Sequence, residues 1–190
     1  MIDEARLEDV GSGLAPVSEG WFIVNARDAA WLTNDTFGGV CIFESDHHVL
    51  RERPDLEPVE VEGAGFTVRV IQPGQASGLY HAETKEQEDF LIVAGECFVL
   101  IEEQERHLRT WDVLRCPPGT NHTFVGAGDD PCVIVAVGNR VDGSVSVYPR
   151  SELALRYGAS VEEDNPTSAY GPYGPWEHKH PDPWDELPWS

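Results

Sequence analysis

Basic residues, cysteine pairs and long apolar runs are what this chain has least of. Thirteen Lys and Arg stand against 34 Asp and Glu, a formal net charge of -21. Such a surface repels a nucleic-acid backbone and an anionic bilayer, and no local basic patch reverses the balance. The longest aliphatic run is VIVAV at 133–137, far below the roughly 20 residues that span a bilayer. The N-terminal MIDEARLEDV has neither the cationic start nor the apolar stretch of a secretory signal. The expectation is a cytoplasmic protein with no nucleic-acid and no membrane partner. Cys41, Cys97, Cys116 and Cys132 form no CxxC pair. Their spacing is not that of a disulfide scaffold or a zinc finger, and buried, reduced thiols are expected.

The 190 residues include 18 Gly and 14 Pro and are 41% hydrophobic, a composition that predicts one loop-rich domain with extensions. Charge divides the chain in three. Residues 1–62 carry a net -10, residues 63–161 a net -5 and residues 162–190 a net -6, so most of the acidity lies in the flanks. Residues 1–62 read as an N-terminal extension with added strands, GWFIVNARDAAW and TFGGVCIFES, followed by a polar excursion. In that excursion His47 and His48 point to opposite faces of an extended chain and are expected to be surface groups.

Residues 63–150 carry regular short strands (FTVRVI, FLIVA, CFVLI, CVIVAV) separated by Gly- and Pro-containing turns, with no long helix among them. This predicts an all-β antiparallel sandwich or small barrel. Residues 151–190 begin with SELALRYGA, a short helix expected to be capped by Ser151 and stopped at Gly158. The six prolines and three tryptophans after Glu162 predict an irregular tail docked through its aromatic rings. His178 and His180 in that tail have no evident companion ligand.

The chemistry concentrates in PGQASGLYHAETKEQEDFLIVAGE and DVLRCPPGTNHTF. His81 and Glu83, two residues apart, share one face of a strand, and Glu88 meets them from the start of the next. His122 follows a Pro-Gly turn and offers a fourth ligand. Four such groups across two turn-linked segments are candidates for a metal site. Tyr80 alternates away from His81 and is expected to be structural. Phe90, Ile92, Phe98, Leu100 and Phe124 are expected to pack or line the interior, giving a pocket with few charges beyond a metal. Arg69, Arg109 and Arg115 either address an anionic substrate or face solvent, and the solvent-facing reading is the expectation for each.

These two segments resemble the paired motifs of the cupin superfamily. Gly74, His81, Glu83, Glu88 and Gly95 stand on the first motif, with Glu83 in the place of its second histidine. Pro117, Gly119 and His122 stand on the second, although Asp112 replaces its opening glycine and its later asparagine is absent. The resemblance covers about residues 66–137. It implies a single cupin-type antiparallel β-barrel, or jelly roll, with a divalent metal (Mn, Fe, Ni or Zn) in its mouth, and it puts His81, Glu88 and His122 on ligand positions. Glu83 is then a further ligand, a catalytic general base beside the metal, or a structural carboxylate. It also implies a homodimer. The leading expectation is a small-molecule metalloenzyme of isomerase, lyase or dioxygenase type, and the alternative is a non-catalytic cupin-like protein that binds a small-molecule ligand.

Overall fold

β-branched and aromatic residues alternating with Gly- and Pro-bearing turns build short strands throughout. The computed structural model describes residues 1–43, 48–51, 53–59 and 63–189; His47 lies outside them. In chain order the strands are β1 Leu7–Asp9, β2 Leu14–Pro16, β3 Trp31–Asn34, β4 Gly38–Ile42, β5 Ala64–Ile71, β6 Ala82–Glu83, β7 Glu88–Ala94, β8 Glu96–Ile101, β9 Gln104–Arg109, β10 Val113–Cys116, β11 His122–Ala127, β12 Cys132–Asn139, β13 Ser146–Val147 and β14 Glu177–His178. The main sheet has seven strands in the order β10-β7-β12-β5-β4-β3-β14, and a second sheet has the order β11-β8-β9. All ladder pairs are antiparallel, and β1-β2 and β6-β13 form two small separate pairs.

The two larger sheets pack face to face. Ile71 of β5, Phe90 and Ile92 of β7 and Ile134 of β12 meet Cys97 and Val99 of β8 and Phe124 of β11 in one buried cluster. The expected closed barrel is not formed: the sheets remain open. The outer side of β11 meets residues 73–81 through isolated bridges, Pro73 with Gly126, Ala76 with Val125 and His81 with His122, and scattered hydrogen bonds rather than a ladder. Pro73 lacks an N–H and Gly74 turns with φ 78°, so this segment cannot run a continuous ladder along β11. On the other side of the small sheet, β9 is almost wholly exposed and carries Glu105, Arg106 and Arg109, charges that discourage further pairing.

The expected C-terminal helix is also cut down. Only one turn, α1 Glu152–Leu155, is α-helical, and no longer α-helix occurs among the described residues. Ser151 Oγ accepts from Ala154 N at 3.0 Å. The chain then tightens, with Tyr157 N donating to Ala154 O at 3.0 Å and Gly158 N to Leu155 O at 3.1 Å. These three-residue steps unwind the helix before a second turn can form.

Beyond α1 the tail runs back along the main sheet, where β14 pairs with β3. Trp184 and Trp189 place their ring centroids 5.6 and 5.3 Å from that of Trp31, and Leu187 is buried beside Val68, Val70 and Val133. No helix among the described residues is long and apolar enough to cross a membrane. All four cysteines are free and buried.

Candidate metal centre

The site is assembled by one cross-strand pair. His81 N donates to His122 O at 3.2 Å and His122 N to His81 O at 2.8 Å, so the two residues exchange both backbone bonds and project their side chains to the same side. The turn before His122 sets its position. Thr120 N donates to Pro117 O at 3.1 Å, and Gly119 at the third position has φ 82°, a conformation that glycine adopts without strain. Gly119 N donates to Glu83 O at 2.8 Å, tying this turn to β6. Glu88 opens β7, where it pairs with Cys116 on one side and Gly138 on the other.

Each imidazole is oriented by its own backbone. His81 Nδ1 lies 2.7 Å from Leu79 O and His122 Nδ1 3.0 Å from Thr120 O. A ring that donates from Nδ1 to a carbonyl presents an Nε2 lone pair, the arrangement of a metal-binding histidine. One ligand atom each from His81, Glu88 and His122 falls within 4.8 Å of the others. Glu88 Oε2 is buried and makes no hydrogen bond, although His122 Nε2 lies 3.3 Å away. Charge on His122 offsets part of the cost of burying that oxygen, but no hydrogen bond satisfies it. Two imidazole nitrogens and this orphaned oxygen converging on one point are a donor set that fits a divalent cation.

The electrostatics point the same way. Burial, reinforced by the neighbouring His122, lowers the pKa of His81 to about 4. Burial opposes a charged His122, but the Cys116 thiol and the Glu88 carboxylate beside it outweigh that and raise its pKa to about 10. Burial likewise works against ionised Glu88, yet the two histidines hold its pKa below the usual carboxylate value. The cluster thus calls for positive charge beside Glu88.

Glu83 stands next to this group without joining it. Its Oε1 is 3.9 Å from His81 Nε2 and accepts from Ser146 Oγ at 2.6 Å. Burial raises its pKa, and the carboxylates of Glu88 and Glu86 add to the effect.

The centre opens into a cavity of about 300 Å³ that Phe90 and Phe124 help to line. The expectation of few further charges does not hold, because Arg69, Arg140 and Glu86 also reach this cavity. Arg69 alternates with Val68 and Val70, which pack against the tail, so it faces inward. Polar alternation within FTVRVI is the one sequence signal that identifies it. Tyr148 stacks on His81 at 5.8 Å, and Tyr170 accepts from Leu79 N at 3.1 Å. Tyr148 directly follows β13 and Tyr170 comes from the tail, and neither belongs to a motif. Tyr80 is buried and donates nothing to the centre; its hydroxyl accepts from Glu103 N at 3.1 Å.

Residues 67–138 match the model of the cupin domain family. No curated protein matches the chain. Among solved structures it is similar to a cupin-superfamily sugar phosphate isomerase from Silicibacter pomeroyi, at 19% identity and TM-score 0.45 over 57% of this chain. That match spans only 64% of the isomerase's length. It is similar to KdgF from a Halomonas species, at 19% identity and TM-score 0.49 over 65% of this chain and 97% of the other. A third is a double-stranded β-helix domain protein from Klebsiella pneumoniae, at 22% identity and TM-score 0.42 over 46% of this chain and 77% of the other. Likeness at this level carries nothing about activity. The matched domain, the paired motifs and the convergence of His81, Glu88 and His122 show a cupin-superfamily fold over residues 67–138.

Proposed function

We propose that the chain is a small-molecule metalloenzyme in which His81 Nε2, His122 Nε2 and Glu88 hold one divalent ion and Glu83 moves a proton beside it. The observation that carries this reading is the buried Glu88 Oε2, which has no hydrogen-bond partner and lies among two imidazoles whose Nδ1 atoms are already committed. When bound, a divalent ion supplies Lewis-acid polarisation of a substrate oxygen. The protein's own groups do the rest.

Glu83 has the features of a general base: burial raises its pKa above the usual carboxylate value, and it borders the cavity. Ser146 Oγ fixes which Glu83 oxygen is engaged and leaves the other for substrate. Phe90 and Phe124 limit water at the centre. Proton abstraction next to an oxygen-bearing carbon, the common step of isomerases and lyases, uses this apparatus with no further group.

The test is Glu83→Gln in metal-reconstituted protein, scored on turnover of an oxygenated-metabolite panel and on metal content. The expected result is full metal occupancy with turnover reduced about 10²- to 10⁴-fold. Loss of the metal together with activity would make Glu83 a ligand instead. Full occupancy without turnover of any substrate by the wild-type protein would favour the binding-protein alternative.

A further inference from the structure

Arg69 is an anomaly on its strand. Successive residues of β5 point to opposite sides of the main sheet. Val68 and Val70 pack against Trp31 and the tail, Ile71 enters the core between the sheets, and Thr67 and Arg69 line the cavity. The sheet position thus directs a guanidinium into the interior. A charge in such a place is costly without a partner of opposite sign. Yet Arg69 has no ion pair among the described residues. Its single hydrogen bond runs from Nη1 to Ser77 O at 3.0 Å. That bond anchors one corner of the planar fork and leaves its other N–H groups in the cavity. Arg140, by contrast, reaches the same cavity with Glu86 Oε2 3.8 Å from its Nη1.

We propose that the cavity takes a small molecule bearing an anionic oxygen group, and that Arg69 is the residue that binds that group. A planar guanidinium matches a carboxylate or a phosphate through two parallel hydrogen bonds. Charge accounting favours a carboxylate. Glu83, Glu86 and Glu88 face Arg69 and Arg140 across the cavity, so with one divalent ion bound the surplus is a single positive charge, which a monoanion neutralises. The hydroxyls of Thr67, Ser77 and Thr123 on the lining suit a ligand with further oxygens. A protein of net charge -21 otherwise repels such a molecule, which makes an inward arginine necessary for capture.

This inference deepens the proposed function, and its test separates the two. Acetate and inorganic phosphate are titrated by calorimetry into metal-loaded wild type, Arg69→Gln and Arg69→Lys and into His122→Ala treated with the same metal, with metal content measured on each. The wild type is expected to bind acetate, Arg69→Gln to weaken it at least about tenfold with metal content unchanged, and Arg69→Lys to fall between. Tighter phosphate than acetate binding, equally dependent on Arg69, keeps the anion site and assigns it to a phosphorylated ligand. If Arg69→Gln fails to fold, the loss in Arg69→Lys decides. Anion binding that persists in His122→Ala but depends on Arg69 upholds the inference even where the metal assignment fails. Anion binding absent from the wild type, or unaffected by either Arg69 substitution, overturns it.

Discussion

The two faces of the main sheet differ completely although they are built from the same strands. On one face Val68, Val70 and Val133 meet Trp31, Leu187 and the tail tryptophans in an apolar layer. On the other, Thr67, Arg69 and Glu88 border a polar cavity with His81 and His122. The period of two along each strand separates an apolar face, on which the tail tryptophans pack, from a face that borders the cavity, to which the tail adds Tyr170. The Pro- and Trp-rich tail, whose only ladder among the described residues is the two-residue β14, contributes mainly through aromatic area.

If the faces are independent, substitutions on one leave the other's property intact. The largest effect belongs to the cavity face: His122→Ala is expected to reduce metal content from about one ion per chain to under a tenth, with the circular dichroism spectrum retained. Elemental analysis of the purified variant checks this, and collapse of the fold instead would show that the centre also holds the sheets together. Next is Trp31→Ala, which empties the fully buried position on which Trp184 and Trp189 converge. Chemical denaturation is expected to show a loss of about 3–5 kcal/mol, with metal content per folded chain unchanged. Trp184→Ala removes one ring of the same cluster and is expected to cost about 1–2 kcal/mol.

The smallest effect is a pH dependence confined to the cavity face. In metal-free protein the pKa of His81 is depressed to about 4 from 6.5. Between those values the unfolded chain binds more protons, so stability falls as pH drops from about 6.5 towards 4. His122 is shifted the other way, to about 10; its contribution is complete below 6.5 and is lost as pH rises towards 10. Melting temperature should therefore peak near neutrality and decline on either side by about 2–6 °C. Trp184→Ala should lower that curve without changing its shape. A changed shape would couple the faces.

The His81, Glu88 and His122 cluster is more legible in the sequence than the architecture around it. His81, Glu88 and His122 are recognisable because each sits at a strand start or beside a turn whose Gly and Pro fix the geometry locally. Closure of the sheets was not legible: it depends on whether residues 73–81 form a ladder along β11, a long-range pairing that Pro73 and Gly74 interrupt. The C-terminal helix was overestimated because Ser151 and Gly158 mark its limits correctly as signals but say nothing of the three-residue hydrogen bonds between them. For Arg69 the residue type leaves a solvent-facing charge and a substrate-facing one both open, and only strand parity within β5 turns it toward the cavity. Tyr148 and Tyr170 reach the cavity from distant segments, and only the folded chain brings them there.

The proposed function requires one divalent ion held by His81, Glu88 and His122, with Glu83 outside its coordination sphere. Anomalous diffraction from a crystal of the metal-loaded protein tests it most directly. The account predicts one strong peak within about 2.0–2.3 Å of His81 Nε2, His122 Nε2 and a Glu88 oxygen, with Glu83 still hydrogen-bonded to Ser146. A peak coordinated by Glu83, or no peak at these residues after loading, would contradict it.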